Sequence, residues 1–355
     1  MIGNRLKRAR EARGLSLREL EAAIHGQVSA QAIGKYERDE MMPGSTILLA
    51  IAEALQVSPA YLLSERDIEL TGVDFRKAPH AGVKEERAVE ASVLDQVERY
   101  LELEELLPGV EQVWVASGDP SFQVSQIEDA EQAADTLRRL WNLGIDPIPM
   151  MAELLEDKGV KVIALELPEN MSGSKAFVQR PGHPDVPVIV VNQGHSGERQ
   201  RFTLAHELAH LVLRFSGHRD ADQEKAADRF AGAFLMPRDM MLRLLGPHRT
   251  SISLGELAEL KKLFKVSISS MVVRCAQLGI ISKATYVRLW AQIKHLGWNS
   301  QSSNEPGMLK AEVPLRMERL CLRAVSEGAI SESRAAELLG VSVRELDRRL
   351  MGHIA

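Results

Sequence analysis

The run His206-Glu-Leu-Ala-His210 lies inside Arg201–Arg214, a segment with the apolar spacing of a buried helix. On a helix, residues four apart sit one turn above each other on the same face. His206 and His210 can therefore aim two imidazoles at one metal ion, with Glu207 beside the open coordination position. Water on zinc loses its proton far more readily than bulk water, and a neighbouring carboxylate can take that proton. The same spacing also arises by chance on helices, so a third ligand is required.

Glu224 and Asp228, again four apart, lie on a second helical pattern with Ala227, Phe230, Ala231, Phe234 and Leu235 on one face; Pro237 stops it. The spacing assigns Glu224 as the third ligand of Zn2+ and Asp228 as the acceptor that orients one histidine ring. Gly217 suits the chain reversal between the two helices. The competing reading is a pair of packed core histidines and a solvated acidic face paired with Lys225 and Arg229. The four residues taken together favour zinc. Leu213 and Ser216 exclude an HExxHxxGxxH site, while His218 in the turn is an alternative third ligand.

Outward from the helix, Gly159–Leu167 and Val186–Asn192 read as strands, rich in β-branched residues and bounded by Gly, Pro and Asn. Lys175–Gln179 is a candidate third. An exposed strand edge beside the metal can hold an extended polypeptide by backbone pairing; the plainer alternative is a small sheet that only buries the helix.

Leu137-Arg-Arg-Leu-Trp-Asn-Leu-Gly-Ile-Asp-Pro-Ile-Pro149 and Leu154-Leu-Glu-Asp-Lys-Gly-Val-Lys-Val-Ile163 precede the histidines. Together with Arg199–His210 and Phe230-Ala-Gly-Ala-Phe-Leu-Met-Pro237, they resemble the ImmA/IrrE family of zinc metallopeptidases, over roughly residues 130–245. The resemblance implies a gluzincin-like fold and cleavage of a transcriptional repressor in the cytoplasm. It also implies His206, His210 and Glu224 as zinc ligands and Glu207 as the catalytic glutamate. Asp228 stands where the family usually has Asn, and Ser172-Gly173 where Asp-Gly is common.

The amino-terminal segment carries a different chemistry. Residues 1–65 read as a five-helix unit: a capping box, Ser16-Leu-Arg-Glu19, opens a helix through Ile24, and Ser29 caps a second through Glu37. Gly44–Ser45 and Ser58–Pro59 start two more. Leu6, Leu17, Leu20, Ile24, Val28, Ile33, Leu49, Ala52, Leu55 and Leu62 are the expected core. The unit resembles the XRE family of helix-turn-helix domains over residues 3–63, with a turn slightly longer than the family's usual one. In such a unit the second helix of the motif enters the major groove. Ser29, Gln31 and Lys35 are the expected base contacts and Arg18 a phosphate contact. The first 18 residues hold six Lys/Arg against one acid, so this end is locally basic. The resemblance pairs Arg10 with Glu37 inside the domain. A protein-interaction module is the alternative use of this fold.

Whole-chain quantities narrow the class. A length of 355 residues suits two or three domains, and a net charge of −5 confines any DNA contact to a local surface. Cys275 and Cys321 give no disulfide framework, as expected in a reducing compartment. Met1-Ile-Gly-Asn-Arg-Leu-Lys is no signal peptide, and no run approaches the roughly 20 apolar residues of a membrane helix.

The expected architecture is multidomain and mainly α. Residues 1–65 form the helix-turn-helix domain; 66–130 form a linker (to about 83) and a long connector helix, Lys84–Leu107, with Val89, Val93, Val97, Leu101 and Leu103 near one face. Residues 131–246 are an α+β, gluzincin-like peptidase domain with a small sheet. Residues 247–355 are helical, with a second helix-turn-helix-like or dimerisation unit near Ser331–Leu350, whose Arg344, Arg348 and Arg349 are further phosphate candidates. The expected function is a cytoplasmic, homodimeric regulator on a double-stranded operator, with no membrane partner. Its zinc endopeptidase domain would cleave a repressor, or the chain itself within 66–83, in a stress response. The alternative is a transcriptional repressor, antitoxin-like, whose zinc domain is structural or senses a ligand.

Overall fold

A computed structural model describes residues 2–63, 68–72, 83–114, 122–215, 219–298 and 305–352. Helices α1 (Ile2–Ala12), α2 (Leu17–Ala23), α3 (Ala30–Glu37), α4 (Ser45–Leu55) and α5 (Pro59–Leu63) open the chain, followed by strand β1 (Glu69–Thr71) and helix α6 (Val83–Leu106). Next come β2 (Gln123–Val124), α7 (Asp129–Leu140), α8 (Met151–Asp157), β3 (Lys161–Leu165), β4 (Gly173–Gln179) and β5 (Val186–Asn192). Helix α9 (Gly197–Val212), strand β6 (Arg214–Phe215) and helices α10 (Asp220–Leu235) and α11 (Arg238–Leu245) lie beyond. The remaining helices are α12 (Leu254–Phe264), α13 (Ile268–Gln277), α14 (Lys283–His295), α15 (Arg316–Ser326), α16 (Glu332–Leu339) and α17 (Val343–Leu350). The fold is mainly helical with a small mixed sheet, as the patterning predicts. It divides into two compact units, Met1–Gln112 with Ala176–Val186 and Leu315–Ala355, and Val113–Lys175 with Pro187–Pro314.

In the first unit α2 begins as its sequence dictates. Glu19 N–H donates to Ser16 Oγ, and Ser16 N–H donates to the Glu19 carboxylate at 2.6 Å, satisfying two otherwise orphaned donors. Leu6, Leu20, Ile24, Ile33, Ala52, Leu55 and Leu62 are buried together, and Arg10 pairs with Glu37 at 2.5 and 2.9 Å. A Cβ on Gly3 would meet the Glu37 carbonyl oxygen at 2.5 Å, so glycine permits this close approach of α1 to α3. One expected core residue is misplaced: Leu49 is 57% exposed, while Ile51 is fully buried. Ile47–Ala52 is apolar on every side, so its pattern does not fix which face turns inward.

Helix α6 holds this unit together. Arg5 forms a buried pair with Glu98, and Arg8 donates to the Ile68 carbonyl at 2.7 Å. On its other side, Arg316 donates to Tyr100 Oη (3.1 Å), to Glu104 and to the Val110 carbonyl, and Arg99 reaches the Leu338 carbonyl at 3.1 Å. Tyr100, Leu103 and Leu107 join Leu320, Cys321, Ala324, Leu338 and Leu346 in a second core. The apolar face of the expected connector is thus covered by the chain's own helices. The expected linker is partly ordered as well: Ile68 is buried, and β1 pairs antiparallel with β4, Glu69 opposite Gln179 and Thr71 opposite Phe177. Residues 66–67 and 73–82 of that linker lie outside the described residues.

The second unit is built around β5 and helices α7 to α14. Strands β3 and β5 pair in parallel from Lys161↔Val188 to Leu165↔Asn192, and residues 187–192 are all buried. Leu204, Ala205, Leu208 and Ala209 of α9 pack into one core with Ala227, Phe230, Ala231 and Phe234 of α10. Buried carboxylates in this unit are met by arginines and by backbone amides. Glu131 on α7 accepts from Arg274 on α13 (2.5 and 2.7 Å) and from Arg229 on α10 (2.8 Å). Glu312 accepts from Arg201 (2.6 Å) and from the first amides of α8, Met151 N–H (2.8 Å) and Ala152 N–H (3.1 Å). The segment 305–314 also straps α9: Leu309 N–H donates to Glu198 at 3.1 Å and Glu312 N–H to Gln200 at 2.8 Å.

Candidate metal centre and DNA-reading helix

Helix α9 starts at Ser196, whose Oγ accepts from Arg199 N–H, and buries its aliphatic side against the core. That leaves His206 and His210 on the side facing α10. His206 meets Asp228 and His210 meets Glu224, so the two helices run in opposite directions at the site.

The donor atoms converge. His206 Nε2 lies 3.2 Å from His210 Nε2 and 3.2 Å from Glu224 Oε2, and His210 Nε2 lies 3.4 Å from Glu224 Oε1. Zinc–ligand bonds of about 2.0–2.1 Å set roughly 3.3 Å between neighbouring donors of a tetrahedron. The trio therefore has the dimensions of one face of such a site and leaves the fourth vertex open. His206 Nδ1 is 2.9 Å from Asp228 Oδ1; with its proton directed there, a neutral ring presents the Nε2 lone pair to the trio. Among the described residues, this is the one cluster of His, Cys, Asp and Glu with metal-ligand spacing. His218 and Gly217 lie outside the described residues.

The electrostatics favour a cation here. Burial opposes the charged His206 imidazolium, but its bonds to Asp228 and Glu224 and the field of Glu207 outweigh that, and its pKa is pushed up to about 10.

A cavity of 620 Å³ opens beside the cluster, lined by His206, Glu207, Arg199, Ser172, Trp290 and Trp298 among others. The sequence reading did not place the last four in it. Arg199 carried a usable signal, since seven residues before His206 is nearly two full helical turns and hence the same face. Trp290 and Trp298 carried none, because only long-range packing of α14 brings them there.

In the first unit, Arg18, Ser29, Gln31 and Lys35 are all exposed. Ser29 Oγ is engaged as the cap of α3, accepting from Ala32 N–H at 3.3 Å. The long turn before it is closed by two left-handed residues, His25 (φ 56°) and Gly26 (φ 66°). At the other end of this unit, Arg349 pairs with Glu318 and Glu345, and Arg348 with Glu345, so two of the three carboxy-terminal phosphate candidates are neutralised within the chain.

Residues 155–276 match the model of a peptidase family described as the IrrE N-terminal-like domain. Residues 6–62 match a helix-turn-helix model. The chain is a fusion of these two domain types. No curated protein matches it. The IrrE N-terminal-like span runs from α8 into α13 and so contains the whole His–His–Glu cluster. Of its two departures from the family pattern, Asp228 accepts from His206, and Ser172 accepts a hydrogen bond from Arg199 at 2.7 Å. The helix-turn-helix span contains α2, α3 and the exposed residues between and on them.

Proposed function

We propose that this chain is a DNA-binding transcriptional regulator whose IrrE N-terminal-like domain is a zinc-dependent endopeptidase acting on a repressor protein. His206, His210 and Glu224 hold the ion, and Asp228 fixes the tautomer and orientation of His206. The observation that carries this reading is the mutual 3.2–3.4 Å spacing of three donor atoms from two helices. When bound, the metal supplies Lewis acidity toward a water molecule and a peptide carbonyl. Glu207, next to His206 at the cavity wall, takes the proton of the attacking water and delivers it to the departing amine. Ser29, Gln31 and Lys35 meet base edges, Arg18 meets phosphate, and a homodimer on a double-stranded operator supplies the second half-site. A reducing cytoplasm suits the two free, buried cysteines, and control of a stress response suits a regulator that carries a protease.

The test is proteolysis of co-purified and genomically adjacent repressors by the zinc-loaded protein, its chelated form and Glu207→Gln, read by mass spectrometry. Cleavage is expected in the first arm alone. Intact repressors in all three arms, with no metal bound to the purified protein, sink the hydrolase reading. The cavity also suits a ligand-sensing domain. Full regulatory output from Glu207→Gln would select that reading.

A further inference from the structure

Arg199 is a half-buried cation with an unusual set of neighbours. Its guanidinium donates to Ser172 Oγ at 2.7 Å, and among the described residues no carboxylate lies within ion-pair distance of it; Glu169 acts on it only through its longer-range charge. Two of the acids that share its cavity are committed elsewhere. Glu198 pairs with buried Lys261 at 2.6 Å, and Glu305 pairs with the same lysine at 3.4 Å and accepts from Ile268 N–H. Burial thus strips water from the Arg199 charge without supplying a carboxylate in return, which leaves a planar fork of donors facing a 620 Å³ cavity with Trp290 and Trp298 in its wall.

Position on the helix fixes what this fork can reach. Arg199 precedes His206 by seven residues, a rise of about 10 Å along the shared face. An extended polypeptide advances about 3.3 Å per residue, so three residues span that distance. We propose that Arg199, with Ser172, forms a carboxylate subsite that takes an acidic group of the substrate about three residues from the scissile bond. The group is an Asp or Glu side chain or the free carboxyl terminus of a short chain; the flanking tryptophans cover the apolar stem beside it. This rests on the peptidase reading for the word substrate, but the subsite itself is a binding property of the cavity.

The test exposes the zinc-loaded protein to a peptide library made with both free and amidated carboxyl termini, and maps cuts by mass spectrometry. In parallel, the Glu207→Gln protein is used to capture the same peptides, so that binding is read without turnover. The expected result is enrichment of acidic groups about three positions from the cut, by roughly ten- to a hundredfold over the matched amides. Enrichment only among free-ended peptides identifies the chain terminus as the source; equal enrichment with amidated ends identifies side chains. Arg199→Glu should invert the preference toward Lys and Arg, and Ser172→Asp, which supplies an internal carboxylate to Arg199, should abolish it while Arg199 stays in place. Acid-selective, Arg199-dependent capture without cleavage keeps the subsite and removes the peptidase reading. Cleavage or capture indifferent to acidic groups, or no capture at all, overturns the subsite.

Discussion

Helices α9 and α10 and helices α2 and α3 are both helix pairs presenting a handful of polar residues, yet they treat those residues in opposite ways. Across α9–α10, His206 touches His210, Glu224 and Asp228, and each contact is within 3.4 Å. On α2–α3, Arg18, Gln31 and Lys35 are exposed, and among the described residues no hydrogen bond or ion pair joins them. A cation a few ångströms across can only be held by groups that already converge, so its site must be assembled inside the fold. A duplex brings its own array of acceptors, and a reading helix needs only a rigid backing and a bare outer face. The difference teaches where geometry is informative: distances argue for the metal site, whereas only exposure and charge argue for the reading helix.

Glu224→Ala should strike that contrast hardest. Zinc content, read by elemental analysis of the purified protein, is expected to fall from about one per chain to near zero, because two ligands on one helix remain. Operator binding by the same protein should be unchanged, and a loss of both together would break the separation. Glu131→Gln removes the acid that neutralises Arg274 and Arg229 beneath α10, and stranding a buried charge of this kind typically costs about 3–5 kcal/mol. Denaturant titration of the full chain should show that loss. Desolvation works to raise the Glu131 pKa, but hydrogen bonds and charge from Arg274 and Arg229 prevail and hold it below its ordinary value of 4.5. The folded state therefore binds this proton more weakly than the unfolded state. The stabilisation is fully present above pH 4.5 and lost as pH falls through the depressed value, so the gap between wild type and Glu131→Gln should close in acid. Asp228→Ala leaves all three ligands and removes only the orienting acceptor, so metal affinity should drop by about 10- to 100-fold, measured by competition with a chromophoric chelator. Effects of comparable or smaller size belong to the open face. Gln31→Ala and Lys35→Ala should each cost about 1–3 kcal/mol and relax specificity at one base pair, while Arg18→Ala should flatten the salt dependence of operator binding by about one unit. Equal weakening on all sequences by Gln31→Ala would remove it from the base-reading set.

What was legible in the chain divides along the same line. Helices with caps and a clean period are readable nearly to the residue: α2 begins behind Ser16 and closes at Ile24, and α3 begins behind Ser29 and runs through Glu37. The metal trio was readable because spacings of four fix a helix face, whichever way the helices later pack. The inward face at Leu49 is not legible because Ile47–Ala52 is apolar all round. The grouping of the last helices was not legible at all. Residues 247–314 belong with the unit that holds the His–His–Glu cluster and 315–355 with α6, where Arg316 reaches Tyr100 and Glu104 across more than 200 positions of sequence. Nor could spacing show that Trp290 and Trp298 wall the cavity beside Glu207.

The packing of α1 on α6, sealed by the buried Arg5–Glu98 pair, changes what a nick within residues 66–83 would achieve. Such a cut opens the covalent chain but leaves the amino-terminal fragment seated on its partner helix, in the manner of a split protein whose halves stay docked. Release from the operator would then be governed by the off-rate of that fragment, not by the moment of scission, and a proteolytic signal routed through this segment would arrive with a delay.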